Sequence, residues 1–192
     1  MVDKTTERVM QFQERFPTNI NQLLFLNGEL TTSIISIVDV LTQNSMLFAN
    51  SNGTIMHGDF CFSNIMYDFR SCQIKLIDPR GSEIDHIDGL MGPLEYDIGK
   101  FLHSAVYGYD KIIAGMYSSS ITGDQIITDY QIDEEAELIL HRLCEEYEID
   151  PITIKLLVMS LFLSMIPLHH DRKDRQLTFL CVVLRIYQSI RS

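Results

Sequence analysis

Asp59, Asn64 and Asp78 are the residues of this chain whose types and spacing could do chemistry. They fall in one stretch, residues 55–81, which reads IMHGDFCFSNIMYDFRSCQIKLIDPRG. A carboxylate within hydrogen-bond reach of an alcohol can take its proton as the alcohol attacks phosphorus, and such a base typically contributes about 10² to 10⁴-fold. Phosphoryl transfer also needs Mg²⁺ across the phosphates. That ion prefers hard oxygen ligands and keeps several waters, so one carboxylate and one amide oxygen meet its need from the protein. Asp59 is the candidate general base, and Asn64 and Asp78 are the candidate metal ligands.

Short strands must hold these groups. Residues 65–68 and 73–77 are apolar runs on either side of a turn at 69–72, as in a hairpin. Asp78-Pro79 then stops the pairing, because proline has no amide hydrogen to donate. His57 belongs to the catalytic group as a support that hydrogen-bonds the loop into shape, and Asp97, on a helix expected over 95–109, is a buried anchor for the same loop. Arg80 has two readings of similar weight, a phosphate contact or a salt bridge to Glu83 or Asp85. Lys75, by its place in the hairpin, points to solvent.

The spacing His57-x-Asp59-x₄-Asn64, with an aspartate downstream, is that of the protein-kinase catalytic loop and its metal-binding aspartate. With Gly58 in place of the kinase arginine, the runs HGDFCFSNIMYD, LIDPRG and YDIGKFLHS resemble the aminoglycoside phosphotransferase and choline kinase family. The form with LIDPRG looks most like the phosphotransferases associated with capsule and lipopolysaccharide sugars. The likeness is dense over residues 56–104 and thin elsewhere. It implies a kinase-like fold, ATP and Mg²⁺ as cofactors, and a small hydroxylated acceptor, a sugar or amino alcohol. The family's catalytic Asp corresponds to Asp59 and its metal-binding Asn and Asp to Asn64 and Asp78. Only 56 residues precede His57, and they contain no glycine-rich loop and no strand lysine followed by a helix glutamate. The expectation is therefore a C-terminal lobe whose nucleotide-gripping N-terminal lobe is absent or supplied by a separate chain or fused domain.

Composition sets the frame. With 192 residues and 46% apolar content the chain suffices for one domain with a sizeable core. A formal net charge of -11 argues against a nucleic-acid binder, whose affinity would come from lysine and arginine on phosphates. The four cysteines lack a C-x-x-C pair and suggest reduced thiols in a cytoplasmic protein. The first ten residues have no apolar core of a secretory leader. Residues 152–168 could be mistaken for a membrane span, but they carry Lys155 and Pro167 and fall short of the roughly 20 apolar residues that crossing takes. They read as a buried core helix.

In chain order, residues 3–15 look helical and end at Pro17. Leu30, Ile34, Ile37 and Leu41 have helical spacing; the β-branched run 34–40 also suits a strand, and helix is the reading adopted. Residues 50–53 form a turn, 79–93 a polar loop with Glu83, Asp85 and Asp88, and 118–131 an irregular connection. Asp133 is a candidate N-cap with Ala136, Ile139, Leu140 and Leu143 as the apolar stripe that follows. Pro151 opens another helix, 169–175 is a charged connection, and 177–190 closes the chain as a helix.

Other residues have plainer readings. His86, His103 and His141 lack ligand spacing. The pair His169-His170 fits helix-end hydrogen bonding better than an acceptor pocket, and core packing is the default for Tyr107, Tyr109 and Tyr117. The expectation is a mostly helical α+β fold, a protein-kinase-like C-terminal lobe with a catalytic loop and short β-hairpin. Its reaction would be transfer of the ATP γ-phosphate to a sugar or amino alcohol in surface-polysaccharide synthesis. The alternatives are a catalytically incomplete lobe acting as a binding or scaffold module, and a metal-dependent phosphohydrolase. Nothing marks the dedicated nucleophile or second metal cluster that the hydrolase needs.

Overall fold

A computed structural model describes residues 22–45, 53–80, 91–132 and 134–191. The helix expected over 3–15, the turn residues 50–52, the acids Glu83, Asp85 and Asp88, His86, and the cap at Asp133 lie outside these residues. The fold is α+β and mostly helical. Its contacts divide it into two units: Met1–Met46 with Lys111–Ile132 and Met159–Ser192, and Leu47–Asp110 with Asp133–Val158.

The first unit is built on a four-stranded sheet of order β2-β1-β8-β7, with β1 at Phe25–Leu26, β2 at Glu29–Leu30, β7 at Ser119–Thr122 and β8 at Gln125–Thr128. β1 and β2 are joined by Asn27-Gly28, both with positive φ (50° and 87°), as a two-residue hairpin turn requires. Leu30, expected in a helix, is thus in a strand. The helix starts later, as α1 (Ile34–Gln43), because Ser33 caps it by accepting the Ser36 N–H. Ile34, Ile37, Val38 and Leu41 form its buried stripe.

The stretch 118–131 expected to be irregular is the β7–β8 hairpin, turning at Gly123-Asp124 and paired from Thr122↔Gln125 to Ser119↔Thr128. Its last pair is a hydroxyl contact, Ser119 Oγ to Thr128 Oγ1 at 2.7 Å. A long closing helix (Lys173–Arg191) packs on this hairpin. Its residues Phe179 to Leu184 are all fully buried, with Phe179 against Phe162 at 5.5 Å between ring centroids.

The second unit carries the candidate site. It contains β3 (Thr54–Ile55) paired with β6 (Met91–Gly92), a 3₁₀ turn at Phe62–Asn64, and the hairpin β4 (Ile65–Asp68) with β5 (Gln73–Leu76). Helix α2 (Leu94–Ala105) and helix α4 (Glu134–Glu146) pack together in it. In chain order the short α3 (Tyr109–Ile113) comes between them. Helix α5 (Pro151–Met165) follows α4, and its start at Pro151 agrees with the sequence, since a missing N–H costs nothing in a first turn; the closing helix is α6. The register Ile65↔Leu76 to Asp68↔Gln73 matches the expected hairpin, and Lys75 is exposed.

Pro151–His169 is long and apolar enough to cross a membrane, but 67% of its apolar window is buried inside the structure, as befits a core helix. Lys155 on it is 8% exposed and pairs with Glu137 at 3.6 Å. All four cysteines are free thiols, Cys72 exposed and the others buried.

Candidate active site

One face of α2 organises the loop at residues 57–64. Asp97, Lys100, Phe101 and Ser104 stand at positions i, i+3, i+4 and i+7, so they line one side of the helix. Asp97 accepts the backbone N–H groups of His57 (2.6 Å) and Gly58 (2.8 Å) on its two carboxylate oxygens. Lys100 Nζ lies 2.7 Å from Asp59 Oδ1. Phe101 stacks on Phe60 at 5.6 Å and meets Phe62 edge-on at 5.7 Å. Ser104 Oγ accepts the N–H of Phe62 at 3.0 Å and donates to Asp110 Oδ2. Consecutive loop residues are thereby fixed by consecutive turns of one helix.

The loop itself is tightly turned. Gly58 has φ +77°, and a Cβ there would lie 2.9 Å from Arg80 Cβ, so only glycine fits without strain. His57 Nε2 donates to the Ile77 carbonyl at 3.0 Å, while its Nδ1 accepts the Asp59 N–H at 3.3 Å. The two bonds agree on one tautomer and tie the loop to the end of β5. Asn64, 8% exposed, donates from Nδ2 to the Asp59 carbonyl (2.8 Å) and to Asp59 Oδ2 (3.3 Å).

The hairpin delivers Asp78 to the same place. The Ile77 N–H reaches the Asn64 carbonyl at 3.0 Å, extending the ladder by one step, and Asp78 is the next residue along. Asp78 has φ +54°, a left-handed conformation that Asp tolerates better than most residues. Strain of this kind gathers at functional sites. The Arg80 N–H donates to the His57 carbonyl at 2.8 Å, and its Nη1 to Tyr96 Oη at 3.2 Å. Arg80's partner is thus Tyr96; the alternative partners Glu83 and Asp85 lie outside the described residues.

The Asn64 NH₂ is committed to Asp59, and neither its Oδ1 nor the Asp78 carboxylate has a hydrogen bond or ion pair among the described residues. Hard oxygens with no protein partner are the type Mg²⁺ takes, one or two at a time, completing its shell with water and phosphate. Among the described residues there is no cluster of three or more His, Cys, Asp or Glu that could hold a metal alone.

Burial pushes the Asp59 carboxyl up, but the hydrogen bond and charge of Lys100, the charge of Arg80 and the Asn64 bond outweigh it and hold it below the usual carboxylate value. Asp59 is therefore ionised at neutral pH. Beside it, a cleft of about 710 Å³ is walled by His57, Asp97, Phe60, Phe101, Leu76 and Pro79 among others. This cleft is almost wholly apolar and touches the supports of the loop, whereas Asp59, Asn64 and Asp78 do not line it.

The five residues picked from sequence, His57, Asp59, Asn64, Asp78 and Arg80, thus come together, and Asp97 anchors them. Lys100 and Ser104 were missed. Both sit in the YDIGKFLHS run, and the signal was their i+3 and i+7 spacing from Asp97. His103 is 1% exposed and lies against Tyr109 at 4.5 Å between ring centroids. Tyr107 is fully buried, Tyr117 Oη donates to Asp174, and His169 Nδ1 lies 3.3 Å from Arg175 Nη1. No family model, curated protein or solved structure matches this chain.

Proposed function

We propose that this chain is a kinase-like small-molecule phosphotransferase that moves the ATP γ-phosphate to a hydroxyl of a sugar or amino alcohol, with surface-polysaccharide precursors as the leading acceptor class. The observation that carries this reading is the tying of the hairpin end to the loop by the His57–Ile77 and Ile77–Asn64 bonds, which brings the backbone next to Asp78 up to the loop of Asp59 and Asn64. Asp59 orients the acceptor hydroxyl and takes its proton. Asn64 and Asp78 would hold Mg²⁺, which when bound would supply neutralising charge to the phosphates.

A specific observation favours a second reading. Lys100 already neutralises Asp59 and lowers its basicity, as suits a catalytically incomplete lobe that binds or scaffolds. Calorimetric titration with Mg-ATP separates the two. Binding by the wild-type chain that Asp78→Ala weakens supports the phosphotransferase; no binding by the wild-type chain supports the scaffold.

A further inference from the structure

We propose that Lys100 is a phosphate-contacting residue, its ammonium passing from Asp59 to the γ-phosphate when ATP binds. This rests on the phosphotransferase reading and adds to it a residue that the sequence pattern does not assign.

Lys100 is 9% exposed, and an ammonium carries three N–H donors. Among the described residues it has one acceptor, Asp59 Oδ1. A desolvated ammonium with two donors to spare gains from further anionic oxygens. Holding the loop does not require it, because Asp97 and Ser104 already bind the loop backbone. The other nearby cation, Arg80, turns its Nη1 to Tyr96. In a chain of net charge -11, a nucleotide triphosphate needs such a local cation.

The distances agree. An acceptor hydroxyl served by Asp59 sits about 3 Å from its carboxylate, and the phosphorus it attacks roughly 3 to 3.5 Å further. Lys100 Nζ, 2.7 Å from Asp59 Oδ1, is then within a side-chain swing of the γ-phosphate oxygens. Once the ammonium moves, Asp59 Oδ1 is available to the hydroxyl, while Oδ2 keeps its bond from Asn64. The acceptor oxygen then forms its bond to the γ-phosphorus, and its proton goes to Asp59. The bond from that phosphorus to the β,γ-bridging oxygen breaks, its electron pair leaving with ADP.

The test is titration of the whole chain with Mg-ATP and with Mg-ADP, comparing wild type, Lys100→Met and Asp59→Asn/Lys100→Met. The double variant removes both charges, so no unpaired carboxylate remains to impair folding. Losing one charge-assisted contact to the γ-phosphate should weaken ATP about tenfold or more and leave ADP within about twofold. A wild-type ratio of ATP to ADP affinity in both variants would overturn the proposal alone. A wild-type chain that binds neither nucleotide would overturn the phosphotransferase reading, and the proposal with it.

Discussion

Asp97 and His57, 40 positions apart, are joined by a 2.6 Å hydrogen bond from the His57 backbone N–H to Asp97 Oδ2, with Gly58 on the other oxygen. A carboxylate suits this place because it offers two acceptors and no donor. An asparagine would turn an NH₂ group towards one of the two N–H groups. Hydrogen bonds to a charged group are worth roughly 1.5 to 3 kcal/mol each. Asp97→Asn should therefore cost about 2 kcal/mol or more of stability, read from the urea midpoint, and Asp97→Ala at least as much. Wild-type stability in both would remove the anchoring role.

Asp59→Asn keeps the size of the side chain and removes the proton acceptor. Transfer to a hydroxylated acceptor should fall about 10² to 10⁴-fold, with Mg-ATP binding largely retained because Asn64 and Asp78 are untouched. Turnover at the wild-type rate would take Asp59 out of the base role.

Gly58→Ala puts a Cβ at φ +77°, 2.9 Å from Arg80 Cβ. The left-handed conformation alone costs roughly 1 to 2 kcal/mol, and the crowding pushes Arg80 away. The expected result is a lower melting temperature together with weaker Mg-ATP binding. An unchanged protein would mean that the loop tolerates another backbone path.

Burial, helped by the charge of Lys100, holds the His103 imidazole well below its ordinary 6.5. As pH falls below 6.5 the unfolded chain takes up a proton that the folded one refuses. Stability is thus fully present above that pH and drains as pH falls, by up to about 1.4 kcal/mol per pH unit. His103→Phe, which keeps a ring against Tyr109, should flatten the dependence between pH 7 and 5 in urea titrations. Parallel curves for the two proteins would refute this.

Much of the candidate site was legible because its parts are close in sequence. His57, Gly58, Asp59 and Asn64 share one loop, and the apolar runs flanking 69–72 fixed the hairpin that brings Asp78 back. Lys100 was not legible: in a helical repeat a lysine reads as a solvated residue, and only the packing of α2 under the loop turns it inward. Asn27-Gly28 and Gly123-Asp124 are ordinary hairpin turns, but strands of two residues, or of four rich in serine and threonine, give little periodicity beside them. Leu30 was drawn into a helix by its spacing from Ile34, and the Ser33 cap overrules that spacing.

The parallel pairing of β1 with β8, which brings Asn27 to the Thr128 carbonyl across 101 positions, governs the order of events during synthesis. At about 5 to 20 residues per second, β1 leaves the ribosome roughly 5 to 20 seconds before β8 does. Throughout that interval Leu24 and Leu26, both buried in the finished fold, lack the neighbouring strand β8 on the nascent chain. The early product is thus a client for whatever shields apolar segments at the ribosome, and a slowed or stalled ribosome lengthens its exposure.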